Sequence, residues 1–278
     1  MNTAETHPPA PWAAYAAELA GTFLMVAWGL SAVVFMMSAA SPMARLVPSA
    51  RLRLLATGFL FAAGGTAVVY SPLGQRSGGH INPAISVNFC ILGKMRGPDM
   101  ILYAAAQCAG AIAGAGLVKL LWGAWARSVE AGVTRPAPWL SPAGAAAVEL
   151  VITASLVGVI LVFLSRPRLH RWTGLAAGIW VALLVFAEAP VTGASLNPAR
   201  SLGPALVTGD CRDLWVYFAG PLAGAGLAAF LWKRAGARRH PVCAKLFHTH
   251  RYPCHLADCR FGASRAGAEP PVPKEVPR

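Results

Sequence analysis

Residues 79–87 read GHINPAISV, and Asn82-Pro83-Ala84 at the centre of this stretch predicts the start of a helix. Asn is among the best N-cap residues, and Pro suits the first helical position. The apolar run that follows, 84–93, has ten residues, whereas a membrane-spanning helix needs roughly twenty. The stretch therefore predicts a helix that is too short to cross a membrane.

The rest of the chain has the composition of a membrane protein. Of its 278 residues, 56% are hydrophobic and only 13% are charged, which is about half the charged fraction of a soluble domain. The apolar residues form long runs, each about the length of a membrane span. Six spanning segments are expected at 14–38, 53–73, 100–122, 144–165, 172–191 and 214–233.

The net charge of +13 is carried by short loops and the C-terminal tail, not by one face of a soluble helix. Positive charge in loops that remain cytoplasmic explains this pattern better than binding to nucleic acid does. We therefore expect no nucleic-acid partner. The larger group of basic residues falls on the side that holds both termini, which is therefore taken as cytoplasmic. The N-terminal tail, 1–13, lacks the basic region and cleavage site of a signal peptide, so the first apolar segment is expected to be retained.

The chain contains the same unit twice. A second triplet, Asn197-Pro198-Ala199, again precedes a short apolar stretch, and the first and fourth spans each carry one glutamate, Glu18 and Glu149. The strings AGAIAGAGL (109–117) and AGPLAGAGL (219–227) complete the parallel and predict tight helix contacts. Repeat one covers about 14–122 and repeat two about 144–233.

Each repeat has three spans, so the second copy must be inserted upside down relative to the first. The two short helices then enter from opposite sides, and their N-termini meet near the middle of the membrane. Each N-terminus carries about half a positive charge from the aligned peptide dipoles. Non-helical backbone at this depth requires protein or a water-filled cavity around it. We expect Asn82 and Asn197 to point their side-chain amides toward any solute that passes between these two N-termini.

The motifs SGGHINPA (77–84) and SLNPARSLGPA (195–205), together with the six spans and the inverted repeat, resemble the aquaporin or major intrinsic protein family over roughly 14–233. The resemblance implies an all-α membrane protein with six transmembrane helices and two re-entrant half-helices. It also implies a passive channel in each subunit of a homotetramer, without a cofactor. We expect a multi-pass protein of the bacterial inner membrane, with both termini cytoplasmic.

The resemblance also assigns the pore residues. The two triplets, Asn82-Pro83-Ala84 and Asn197-Pro198-Ala199, are the family's pore motifs, and the loop-supporting carboxylates are Glu18 and Glu149. Intramembrane carboxylates can instead act as proton relays, which is the alternative for this pair. The outer constriction is expected to contain Arg200, Val185, Ala194 and, from the second span, Phe61 or Ala62.

These constriction residues leave the solute open. Strict water channels usually carry a histidine where Val185 stands, so Val185 and Ala194 indicate a wider and less polar opening. Ser201 and Ala205 instead match the water type. We expect passage of water, with small uncharged solutes such as glycerol, ammonia or weakly acidic hydroxides, and exclusion of protons and ions. The alternative is a member of the family that selects a solute other than water.

Two other classes of protein compete with a channel. A coupled secondary transporter also fits inverted repeats with broken helices, but it predicts a membrane-embedded acidic ion site. An intramembrane enzyme would need a nucleophile–base or metal constellation, and no such motif is present in the spans. The sequence therefore predicts a channel and not an enzyme.

The C-terminal tail, 234–278, is basic and expected to be cytoplasmic. Its residues 243–259 hold six potential metal ligands: Cys243, His248, His250, Cys254, His255 and Cys259. Cysteine and histidine at this density could bind zinc, but the spacing fits no standard finger, and no metal site is assigned. The favoured expectation is a segment that lies on anionic lipid and ends in disorder.

Overall fold

The computed structural model describes residues 11–166, 168–236 and 240–261, and no β-strand occurs within these ranges. The described chain forms ten α-helices and two short 3-10 turns. In order, the helices are α1 (Trp12–Met37), α2 (Met43–Leu46), α3 (Ala50–Tyr70), α4 (Pro72–Ser77), α5 (Pro83–Ile91), α6 (Gly97–Ser128), α7 (Pro142–Leu164), α8 (Thr173–Thr192), α9 (Pro198–Thr208) and α10 (Val216–Arg234).

Five helices, α1, α3, α6, α7 and α8, are long and apolar enough to cross a membrane. The sixth long helix, α10, has 19 residues and packs along α7. Each of the six predicted spans therefore coincides with a long helix, with ends shifted by a few residues. The largest shift is at α6, which reaches Ser128, but its backbone breaks at Gly123 (φ 48°), next to the predicted end.

The two half-helices are α5, with nine residues, and α9, with eleven. The end of α5 lies beside the first turn of α6. The end of α9 lies near the other end of α6, where Lys119 Nζ donates to Val207 O at 2.7 Å. Because α6 is a spanning helix, the half-helices run to opposite sides, as the inverted repeat predicts.

Each half-helix packs against the other repeat. Helix α5 lies against α10, and α9 lies against α6. Asn88 in α5 donates through Nδ2 to Ala225 O in α10 at 3.1 Å. The two repeats therefore share one core, and neither half-helix is enclosed by its own repeat alone.

The glycine strings lie at the closest helix contacts, as predicted. A Cβ added to Gly110 would lie 2.2 Å from Leu19 O, and one added to Gly224 would lie 2.3 Å from Leu150 O. Leu19 and Leu150 directly follow Glu18 and Glu149, so these two glycines are structural counterparts. The matched strings instead align Gly110 with Gly220. The pairing of glycines by their contacts is therefore shifted by four residues, or about one helical turn, from the pairing that the sequence strings give.

Residues 240–261, here called the tail segment, contain no helix or strand and fold onto the helical body. Leu246 N–H donates to Gly78 O (2.9 Å), and Ala257 N–H donates to Lys94 O (3.1 Å). The Asp258 carboxylate pairs with the buried Lys94 ammonium. The helical body therefore supplies hydrogen-bond partners to this stretch, and its expected contact with anionic lipid stays a prediction. The predicted disordered end, 262–278, lies outside the described residues.

Candidate functional site

A cavity of about 270 Å³ lies between the two repeats. Its walls come mostly from apolar side chains of α1, α3, α7 and α8, and its polar lining comes from the two loops that precede α5 and α9. Arg200, Asn82 and Asn197 all line this one cavity, and so does Leu246 of the tail segment. The two predicted pore motifs thus meet at a common passage.

Asn82 and Asn197 are arranged alike. Each side-chain oxygen caps its own half-helix, at 2.9 Å for Asn82 and 3.0 Å for Asn197. Each Nδ2 donates to the opposite loop: Asn82 to Leu196 O and Asn197 to Ile81 O, both at 2.9 Å. An amide has two N–H donors, so one remains on each residue. The sequence predicted the donors but not the bonds that join the two loops.

The residues before the two asparagines hold unusual backbone conformations. Ile81 has φ 43° and Leu196 has φ 55°. Positive φ is disfavoured for residues with a side chain, and most strongly for β-branched residues such as Ile. These conformations turn the two carbonyls toward the opposite asparagine, so the backbone strain is tied to the contact between the loops.

Glu18 holds the first loop. Its carboxylate accepts from His80 N–H at 3.0 Å and from Ile81 N–H at 2.7 Å, and Gln107 Nε2 donates to it at 2.7 Å. The side chain is completely buried. The bonds to consecutive backbone amides fix the strained turn at Ile81.

Glu149 holds the second loop in the same way. It accepts from Ser195 N–H and Leu196 N–H, both at 2.9 Å, and from Thr192 Oγ1 at 2.8 Å. It is also completely buried. Within the described part of the chain, the hydrogen-bond partners of both carboxylates are all donors, an arrangement that fits an anchor for the two loops.

One end of the cavity is formed around Arg200. Its Nη1 donates to Gly132 O at 2.8 Å, and its guanidinium lies 5.3 Å from the centre of the Phe61 ring. Val185 and Ala194 line the same cavity. The four residues expected at the constriction are therefore brought to one passage, with a fixed cation among apolar neighbours.

Both candidates from the second span, Phe61 and Ala62, line the cavity. The Phe61 ring, however, is the one that contacts the Arg200 guanidinium. A ring face attracts a cation, so this contact helps to orient Arg200.

The loop that carries Gly132 is fastened to the end of α9. Arg135 pairs with Glu130 at 2.8 Å and with the Asp210 carboxylate, which also accepts from Arg212. Hydrogen bonds from the Arg212 side chain and backbone, and then the charge of Arg135, hold the pKa of Asp210 below its usual range. The ion pair therefore persists at neutral pH and is lost only as Asp210 protonates in acid.

Several site residues were not predicted as such. Gln107 and Thr192 bond to the two glutamates, and the Gly132 carbonyl bonds to Arg200. His80 donates through Nε2 to Ala244 O of the tail segment at 3.1 Å. Gln107 and His80 stand out in the sequence as polar residues in or beside apolar segments. A backbone carbonyl such as that of Gly132 leaves no signal in a sequence.

The six tail candidates divide into two groups. The ligand atoms of Cys243, His248, Cys254 and Cys259 all lie within 4.8 Å of one another. His250 is exposed, and His255 Nε2 instead lies 2.8 Å from the Tyr103 hydroxyl.

Six long helices and two half-helices around one cavity form the architecture of a transmembrane channel. The model of the family described as Major intrinsic protein matches residues 5–232, and the chain belongs to this family. It is therefore an integral multi-pass channel protein and not an enzyme, which confirms the predicted family, fold and class.

Among its relatives, the chain is 38% identical to aquaporin TIP4-1 of Zea mays over 224 residues, covering 78% of this chain and 83% of the relative. It is 34% identical to the lens fiber major intrinsic protein of Gallus gallus over 272 residues, covering 96% and 94%. The solved aquaglyceroporin from Plasmodium falciparum has a TM-score of 0.65 at 21% identity, covering 81% of this chain and 96% of that one. This last likeness concerns the fold.

Proposed function

We propose that the channel conducts water and small uncharged solutes and excludes protons and ions. The observation that carries this proposal is the meeting of Asn82 and Asn197 in one cavity, each with a donor left over after bonding the opposite loop. A water or hydroxyl oxygen can exchange a hydrogen bond to bulk water for one to these amides. The passage of a neutral solute therefore costs little.

A cation meets a different environment at the same place. The N-termini of α5 and α9 begin directly after the two asparagines and bring positive dipole ends there. The nearby side chains offer donors, so a hydronium or metal ion loses hydration without compensation. Exclusion by half-helix dipoles and an arginine is the general account for aquaporin-type pores, applied here to this chain.

The constriction supports the inclusion of solutes larger than water. Val185 adds no hydrogen-bonding group beside Arg200, and Ala194 is small, so a solute with a carbon backbone meets an apolar wall. Ser201 adds no free polar group to this wall, since its hydroxyl is hydrogen-bonded to the hydroxyls of Thr134 (2.8 Å) and Ser195 (2.6 Å). The favoured solutes are those with both a hydroxyl or amine and an apolar side.

Stopped-flow light scattering on proteoliposomes tests the solute range. We expect the vesicles to shrink rapidly in an impermeant osmolyte and to re-swell when the osmolyte is glycerol. The variant Val185→His should slow glycerol while retaining water, because it narrows the opening and adds a polar group. Water flux without any glycerol or ammonia flux in the parent chain would contradict the passage of other solutes, and solute flux without water flux would favour the solute-selective alternative.

We also propose that the channel forms a homotetramer. Large apolar side chains are exposed on several helices, among them Trp28, Leu120 and Leu183, and must be covered by lipid or by other subunits. Native mass spectrometry should give the mass of four 29.0 kDa chains. A purely monomeric spectrum in the same mild detergent that preserves channel activity would contradict the tetramer.

We place the tail side in the cytoplasm of a bacterial cell, because the larger group of basic loop residues lies there. Cys211 is exposed in the connection between α9 and α10, at the opposite side. A membrane-impermeant maleimide should therefore label Cys211 in intact spheroplasts, with Cys211→Ser as the control. Labelling of Cys211 only after lysis would reverse the orientation.

A further inference from the structure

We propose that one Zn²⁺ ion is bound by four side chains of the tail segment, Cys243, His248, Cys254 and Cys259. We further propose that the metal holds the tail segment against the end of the pore. The site lies outside the channel's transport machinery and goes beyond the proposed function.

The distances within the cluster fit a tetrahedral site. Tetrahedral zinc with Zn–S bonds of about 2.3 Å and Zn–N bonds of about 2.0 Å places its ligand atoms roughly 3.5 to 3.8 Å apart. Cys243 Sγ and Cys254 Sγ are 3.6 Å apart, and Cys259 Sγ lies 3.3 Å from His248 Nε2. All four ligand atoms lie within 4.8 Å of one another. Their spread leaves room for a single ion between them.

The ligand types select the metal. Three thiolates and one imidazole form a closed Cys3His set, which is typical of structural zinc, and they are too soft for Mg²⁺ or Ca²⁺. The backbone N–H of Lys245 donates to Cys243 Sγ at 3.4 Å. Such a bond to a ligand sulfur supports the metal-bound form from outside the coordination sphere.

The tail segment needs a cross-link of this kind. It has no helix or strand, yet Cys243, Ala244 and Leu246 are almost fully buried. A stretch of this size has too little apolar surface to hold an irregular shape alone, and a metal commonly supplies the missing stability. The cluster ties the start of the segment, at Cys243, to its end, at Cys259.

The zinc-held loop would fix the segment at the pore. Leu246, three residues after Cys243, lines the same cavity as the two asparagines. Lys245 Nζ donates to Gln75 O at 2.7 Å, and Ala244 O accepts from His80. Loss of the metal should free these residues and widen the tail-side opening of the cavity.

Metal analysis of the purified full chain tests the site. The chain is prepared without a polyhistidine tag, under reducing conditions, and dialysed against metal-free buffer. We expect about one zinc per chain in the parent, and a fall to below about a tenth of that in Cys259→Ser and Cys254→Ser. The matched controls Cys211→Ser and His250→Ala, which change a cysteine and a histidine outside the cluster, should retain the zinc.

Two further measurements on the parent chain avoid any dependence on the folding of a variant. A chelator should make the three clustered thiols reactive to a thiol reagent, and Co²⁺ should restore protection and give the absorption bands of a tetrahedral thiolate site. Zinc content equal in the parent and Cys259→Ser would overturn the proposal. So would a Cys243–Cys254 disulfide in a second preparation that is purified without a reductant.

The effect on the pore is measured separately. After chelation, a protease should cleave the tail segment on the order of tenfold faster, because the local opening costs less free energy. Chelation should raise the water permeability of the parent chain and leave that of Cys259→Ser unchanged. Zinc removal without either change would show that the metal does not hold the segment in place. The zinc content is measured on the purified chain without a flux assay, so the metal analysis is independent of the proposed transport function.

Discussion

Ile81 and Leu196 show how single residues set the centre of the channel. Their positive φ values cost on the order of 1–3 kcal/mol each, and this strain persists only where the surroundings impose it. Glu18 and Glu149 impose it by accepting from consecutive backbone amides. The repeat predicts the two glutamates. The positive φ values at Ile81 and Leu196 have no sequence signature, so only the structure shows them.

The first prediction at this scale concerns Glu149→Gln. Glutamine has one acceptor oxygen and no charge, so it cannot accept equally from both Ser195 and Leu196. We expect a loss of about 2 kcal/mol of stability, the value of a buried hydrogen bond to a charged group. Thermal unfolding in detergent measures this loss. Glu188→Gln is the matched control, because its Oε2 has no partner among the described residues, and equal melting of the two variants would contradict the anchoring role.

The second prediction concerns Arg200→Ala. The change removes the fixed cation and the bond to Gly132 O, and leaves space beside Phe61. We expect glycerol and urea permeability to rise about tenfold, which corresponds to a barrier lowered by about 1.4 kcal/mol. Stopped-flow swelling measures both solutes. Arg127→Ala, an exposed arginine that does not line the cavity, is the control, and unchanged solute flux in Arg200→Ala would remove Arg200 from the constriction.

At the scale of elements, the half-helices and the glycine contacts explain why the channel is compact. The short lengths of α5 and α9 follow from the apolar runs after each triplet, and the repeat predicts that they enter from opposite sides. Which glycines touch could not be read from the strings, because a four-residue shift preserves the same pattern of small residues. The fold of the tail segment was also missed, since its hydrogen bonds go to distant backbone groups such as Gly78 O.

Gly224→Ala tests these contacts. The added Cβ would lie 2.3 Å from Leu150 O, a backbone atom that cannot move away easily. We expect a destabilisation of about 1–3 kcal/mol from overpacking. The matched control is Gly226→Ala on the same helix, where an added Cβ meets nothing within 4 Å. Differential unfolding in detergent compares the two, and equal stability would contradict the close approach of α7 and α10.

At the scale of the whole molecule, the two repeats form one passage by exchanging half-helices. The paired asparagines and Arg200 line the same cavity, and we propose that they and the dipole ends behind them act on a solute there. The sequence predicts this plan through the duplicated Glu, Asn-Pro-Ala and glycine signals. It does not determine the width of the opening, because width depends on how Phe61, Val185 and Ala194 pack around Arg200. The sequence motifs therefore predict the channel class, whereas the choice of solute depends on side-chain packing at the constriction.

The most direct test of the channel account is to measure water and proton flux in the same proteoliposomes. Light scattering reports the water flux, and an internal pH-sensitive dye reports the protons under an imposed pH gradient. The account predicts osmotic water permeability well above that of empty vesicles, with a low activation energy, and proton flux equal to theirs. Water permeability no greater than that of empty vesicles, or a proton flux above theirs, would contradict it.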